Sequence, residues 1–177
     1  MPADFERIYA LLEEITPLPV DCGRVCGGAC CKGGDEIRGM RLFPGEGNWL
    51  AERFPAGAFI PTADGPLLVC SGECDRHWRP VACRIFPLFP LLGEDGRIRV
   101  RTDPRAAAIC PLARVEDRVR LRREFVRTVR QTGRLLTADP ACRTFLREQS
   151  QQLEEWGRLT FGRDERTPIQ RRKAVLR

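Results

Sequence analysis

The chain has 177 residues and a mass of 20.1 kDa, with 42% hydrophobic residues, 31% charged residues and a formal net charge of +6. That length suits one domain with at most an appendage, and the composition excludes a membrane protein and a generic disordered chain. The longest apolar run, Ile85 to Leu92, is far shorter than the roughly 18 residues of a membrane helix, and Met1 to Glu6 lacks the basic and apolar pattern of a secretory leader, so a cytoplasmic protein is expected.

Asp4 is placed to cap a helix in which Phe5, Ile8, Leu11, Leu12 and Ile15 share one face, with Pro17 and Pro19 as stops. Asp21 to Gly34 is almost all Cys and Gly and reads as a loop that something other than a core must shape. Met40 to Phe43 predicts a short strand, Pro44 to Phe54 a helix with Trp49, Leu50 and Phe54 inward, and Leu67 to Cys70 a strand ended by Ser71-Gly72. Leu88 to Leu92 and Arg97 to Arg101 flank Gly93-Glu94-Asp95-Gly96, a hairpin signal.

After Pro111 the stripe Leu112, Val115, Val119, Val126 and Val129 predicts a helix up to Gly133. Asp139-Pro140 then opens a second helix with Cys142, Phe145, Leu146, Leu153 and Trp156 on its apolar side. Trp49, Trp78 and Trp156 are expected in the core. The expected architecture is α+β: a small, metal-organised Cys-rich domain with little regular structure (residues 1–111), an antiparallel helix pair packed on it (112–161), and a basic, loose tail (162–177).

The charge is uneven. Residues 1–111 hold 13 basic and 15 acidic residues, whereas 112–177 hold 17 and 9. A basic C-terminal part invites a nucleic-acid reading. Yet every basic residue except Lys32 and Lys173 is arginine, and Glu116, Asp117, Glu124, Glu148, Glu154 and Glu155 interleave with them. A solvated, ion-paired helix face is the preferred expectation, and nucleic-acid binding is disfavoured.

The cysteines carry most of the chemistry. Cys22, Cys26, Cys30 and Cys31 form C-x3-C-x3-C-C; Cys70, Cys74 and Cys83 form C-x3-C-x8-C; Cys110 and Cys142 follow. A disulfide framework would need an oxidising compartment and an even count. A core role suits Cys142, on its apolar stripe, but not four cysteines set among glycines. Thiolates suit zinc and iron–sulfur clusters, and Gly23, Gly27, Gly28, Gly33 and Gly34 free the backbone to present them. Eight thiols remain without Cys142, enough for two four-sulfur sites or one cluster with spares. Cys30 and Cys31, being adjacent, should diverge and serve different sites. The two cysteine groups are expected to meet in space, with Cys30 and Cys31 joining them.

Cys22-Gly23-Arg24-Val25-Cys26-Gly27-Gly28-Ala29-Cys30-Cys31 resembles the N-terminal signature of the YkgJ-like, or CxxCxxCC, family of zinc- or iron-chelating cysteine-cluster proteins, although with three-residue spacings where the family has two. Cys74, then Arg79-Pro80, then Cys83-Arg84-Ile85-Phe86-Pro87 resemble the family's second block, and Cys110 stands for its last cysteine. The resemblance covers residues 18 to 111 and implies a metal-chelating module, mostly bacterial. A flagellin lysine methylase carries a similar block with an implied iron–sulfur cluster, which favours a [4Fe-4S]-type cluster over Zn2+ here.

The implied ligands are Cys22, Cys26, Cys30, Cys31, Cys70, Cys74, Cys83 and Cys110. Around them, His77 is expected in a supporting or surface role, and Arg79 and Arg84 as counter-charges for excess thiolate or as rim ion pairs. The leading expectation is a thiolate metal-binding protein without a recognisable catalytic motif. A cluster-dependent group-transfer enzyme resembling the methylase is the alternative, and a zinc-stabilised nucleic-acid binder is the second.

Overall fold

The computed structural model describes residues 1–31, 39–51, 59–62, 65–69, 76–114 and 120–161. It is an α+β chain whose C-terminal part is helical. In order the elements are α1 (Phe5–Leu12), α2 (Cys22–Cys26), β1 (Gly39–Arg41), α3 (Glu46–Leu50), β2 (Phe59–Thr62), β3 (Gly65–Val69), α4 (Val81–Ile85), β4 (Leu88–Leu92), β5 (Ile98–Thr102), α5 (Arg123–Leu136) and α6 (Pro140–Phe161). Short 3-10 turns occupy Arg76–Trp78, Pro104–Ala108 and Pro111–Ala113. Among the described residues, no helix is long and apolar enough to cross a membrane.

Local signals explain α1 and the hairpin. The Asp4 carboxylate accepts the Arg7 N–H at 2.9 Å, and Phe5, Ile8, Tyr9 and Leu12 are buried. The helix ends at Leu12, well before Pro17, while Ile15 still packs at the core's edge. β4 and β5 pair antiparallel around a turn in which Gly96 takes φ +71°, which a side chain would strain. The other sheet is antiparallel in the order β1-β3-β2, with Met40 opposite Leu68 and Ile60 opposite Leu67.

All five residues of β4 are buried, because α5 and α6 both pack on it. Its last N–H, at Leu92, donates to Ser150 Oγ at 2.8 Å, and that hydroxyl donates to the Leu146 carbonyl at 2.6 Å. One buried cluster runs from Phe5 through Leu42, Leu50, Ile85 and Leu88 to Phe125, Leu136, Leu146 and Leu153. The chain's start is fastened to its last helix. Asp139 accepts the Cys142 N–H at 2.9 Å, capping α6, and its other oxygen accepts the Ala3 N–H at 3.0 Å.

Three expectations need correction. The helix predicted from Leu112 begins only at Arg123. Leu112 lies in the turn after Pro111, and the Arg122 N–H donates to the Pro17 carbonyl at 2.9 Å, which holds the approach extended. Val115, Val119 and Phe54 lie outside the described residues. Trp156 is 46% and Trp78 37% exposed, not core. α6 outruns the core: among its described side chains the last buried one is Leu153, and Trp156 and Leu159 are exposed. Trp49 does pack at the core's edge, its ring 4.0 Å from that of Tyr9.

The approach of α5 to β4 requires Gly133. A Cβ there would stand 2.6 Å from Pro90 Cβ and 3.0 Å from Ile98 Cγ2, whereas at Gly157 in α6 it would meet nothing within 4 Å. Gly133→Ala should therefore destabilise by about 1–3 kcal/mol, overpacking outweighing helix propensity. Gly157→Ala should stabilise by roughly 0.5–1 kcal/mol. Denaturant midpoints of the two variants, moving in opposite directions, check this.

Candidate metal centre

The first cysteine block is more regular than its composition suggests. Asp21 Oδ1 accepts the Gly23 N–H at 2.9 Å and starts α2, a short helix rather than the expected loop. Three residues between cysteines make one helical turn, so Cys22 and Cys26 share a face. Gly27 ends the turn in the left-handed region at φ 62°, and Gly28 follows at φ 70°. The reversal is closed by hydrogen bonds from Gly28 N–H to the Gly23 carbonyl (2.9 Å) and from Cys31 N–H to the Gly28 carbonyl (2.7 Å). Cys30 and Cys31 do not diverge as expected. Their sulfurs lie 3.8 Å apart, because they follow a turn and not an extended segment.

Cys83 sits in α4, which buried charge holds in place. Pro80 precedes this helix and offers no side-chain cap. The cap comes instead from Glu46 of α3, whose Oε1 accepts the Val81 N–H at 2.7 Å. The same carboxylate accepts the Tyr9 hydroxyl at 2.8 Å and, through Oε2, the Phe43 N–H at 3.0 Å. Glu46 is fully buried, and burial raises its pKa against the pull of these donors and of Arg84.

Arg84, within α4, is 3% exposed. Its Nε donates to the Arg79 carbonyl, its Nη2 to the carbonyls of Arg76 and His77, and its Nη1 to Glu13 at 3.1 Å. The guanidinium also lies over the Tyr9 ring, 4.7 Å from its centre. Arg76 donates to the carbonyls of Glu13 and Ile15, completing the link to the end of α1.

Cys110 is buried beside Ala106 and Ala113. Its sulfur receives the N–H groups of Leu112 and Ala113, which favour the thiolate, but burial raises its pKa overall. Cys22 is raised by burial and then by the charges of Asp21, Cys26 and Cys110, with Arg79 opposing. Cys30 is lowered by its hydrogen bond with Cys31 and also senses Cys22, Cys83 and Cys110. Cys31 is raised by that same hydrogen bond, so the adjacent pair ionises in two separated steps. Cys22, Cys26, Cys30, Cys31, Cys83 and Cys110 thus form one electrostatically coupled set drawn from both cysteine blocks. Cys70 and Cys74 lie outside the described residues. Among the described residues, no three Cys, His, Asp or Glu side chains form a group that would hold a metal ion as they stand.

The supporting residues divide by role. Arg79 is the cation that Cys22 and Cys31 sense, while Arg84 is taken up by Glu13 and three carbonyls. His77 Nδ1 pairs with the Glu13 carboxylate and its side chain is exposed. Cys142 stands apart from the thiol set. It is fully buried in the main core, its Sγ donates to the Pro44 carbonyl at 3.3 Å, and burial pushes its pKa up to about 12. Sequence reasoning missed Glu46 and Tyr9, which look like ordinary surface and core residues. It also missed the Asp21 cap, for which Asp before a three-residue cysteine spacing was the available signal.

The chain matches no family model and is similar to no curated protein and no solved structure. The likeness to the YkgJ-like family therefore rests on the two cysteine blocks alone.

Glu46→Ala should cost on the order of 3 kcal/mol or more, since it strands two buried N–H groups and a hydroxyl. Because the native pKa of Glu46 is raised, its contribution to stability is fullest below the ordinary carboxylate range and is lost as pH rises through the native value. Glu46→Gln, fixed in the neutral state, should flatten that slope in denaturant midpoints taken across pH. Cys142 should resist thiol reagents at neutral pH in the native protein and react only on unfolding. Mass spectrometry of the labelled protein reads this directly.

Proposed function

We propose that this chain is a thiolate metal-binding protein, holding an iron–sulfur cluster or zinc, in a reducing, cytoplasmic setting. The observation that carries the reading is the first cysteine block, where a capped turn sets Cys22 and Cys26 on one face and the following reversal places the Cys30 and Cys31 sulfurs 3.8 Å apart. Burial raises Cys22, and the hydrogen bond with Cys30 raises Cys31, so a bound cation would favour their thiolates. Cys22, Cys26, Cys30, Cys31, Cys83 and Cys110 would supply the ligands, with Cys70 and Cys74 as further candidates from the sequence. A cluster would supply one-electron exchange, and zinc a redox-inert cross-link.

The chain's own residues prepare the donors. The Leu112 and Ala113 N–H groups stabilise the Cys110 thiolate, and Arg79 offsets charge at Cys22 and Cys31. The α2 turn brings two sulfurs to one face. Sulfur is the sole donor type in the set, which favours a cluster over a mixed Cys–His zinc site.

Anaerobic purification with an absorbance spectrum and elemental analysis tests this. Iron with sulfide and a visible band, or zinc in a colourless protein, is the expected outcome. Cys83→Ser and Cys110→Ser should lose the metal, and Cys142→Ala should keep it. Because the raised thiols hold protons in the metal-free protein, binding should release protons and tighten as pH rises. Metal content below one equivalent in the parent protein, or unchanged in both serine variants, would refute the reading.

A further inference from the structure

On α5 the charges are less balanced than the sequence pattern suggests. The buried side is Phe125, Thr128, Val129, Thr132, Gly133 and Leu136. Arg123, Arg127, Arg130 and Arg134 recur at spacings of four, three and four residues, so at about 100° per residue they fall within an arc of about 60° on the opposite side. Arg123, Arg127 and Arg134 are exposed and Arg130 is half-buried. Glu124 is the only acidic residue on this helix, and it pairs with Arg122 at 2.5 Å. Among the described residues, none of the four is in an ion pair. Like charges one turn apart repel, so the row opposes the helix that carries it.

We infer that this row is a docking surface for the phosphodiester backbone of nucleic acid, bound without sequence preference. The row extends over twelve residues, about 16 Å along the helix, which matches about five phosphates of one duplex strand. Guanidinium forks suit phosphate oxygens in two-point contacts. A membrane surface fits less well, because an interfacial helix needs apolar side chains to insert and those of α5 are spent on the core. The inference is independent of the metal reading, since the row belongs to a different element from the thiols.

Fluorescence anisotropy with labelled single-stranded and duplex oligonucleotides of mixed sequence, titrated between about 50 and 200 mM salt, provides the test. Binding to the duplex should weaken with a slope of log K against log salt of about −3.6. Arg123→Gln/Arg127→Gln/Arg134→Gln should weaken binding at least tenfold at low salt and bring the slope toward −1, with its circular dichroism unchanged. The matching triple Arg→Lys variant should keep most of the slope. No binding at the lowest salt, or equal affinity and slope in the Gln variant, would overturn the inference. So would tighter binding to vesicles of anionic lipid, or to a polyglutamate chain, than to either oligonucleotide.

Discussion

A buried carboxylate holds this structure in register. Glu46 takes three donors from three stretches of chain: the Tyr9 hydroxyl of α1, the Phe43 N–H after β1, and the Val81 N–H that opens α4. Phe43 is a neighbour in sequence, but Tyr9 and Val81 reach Glu46 only when α1, α3 and α4 pack together. An ion left without such partners would be expelled from an apolar interior. The arrangement is kept because Arg84 places a positive charge nearby and covers the Tyr9 ring. A helix of five residues would hardly form alone, and α4 persists because its first N–H and its arginine are both committed elsewhere.

That network determines where Cys83 stands. α4 is one turn long and carries Arg84 on the residue after the cysteine, so fixing one fixes the other. The first block is shaped by a different device, a capped turn followed by a glycine reversal. At Cys22 burial and the neighbouring charges of Asp21, Cys26 and Cys110 all disfavour the thiolate.

Features that depend on a few neighbouring residues are legible in the amino-acid sequence. The Asp4 cap, the Asp95-Gly96 turn, the Asp139-Pro140 start and the burial of Cys142 are of this kind, because each is written within one turn or one stripe. The start of α5 is not. Its periodic residues continue backward to Leu112, but the link from Arg122 to Pro17 joins segments more than a hundred positions apart and leaves no local mark. Glu46 is invisible for the same reason: nothing in Pro44-Gly45-Glu46-Gly47 separates an acid with two distant donors from a solvated one. The α2 turn is partly legible. Its glycine content suggests a loop, but the spacing between cysteines already matches a helical period.

The Asp139 carboxylate, which caps α6 while holding the Ala3 N–H, has a bearing on how the protein is made. The Ala3 N–H gains that partner only once Asp139, 136 positions later, has been made. α1 is seated on α4 through Tyr9 and Glu13, and α5 covers it from a second side. The packing of α1 is thus completed in two steps of sequence distance, first on α4 and then on α5, and long-range closure of this kind is entropically costly.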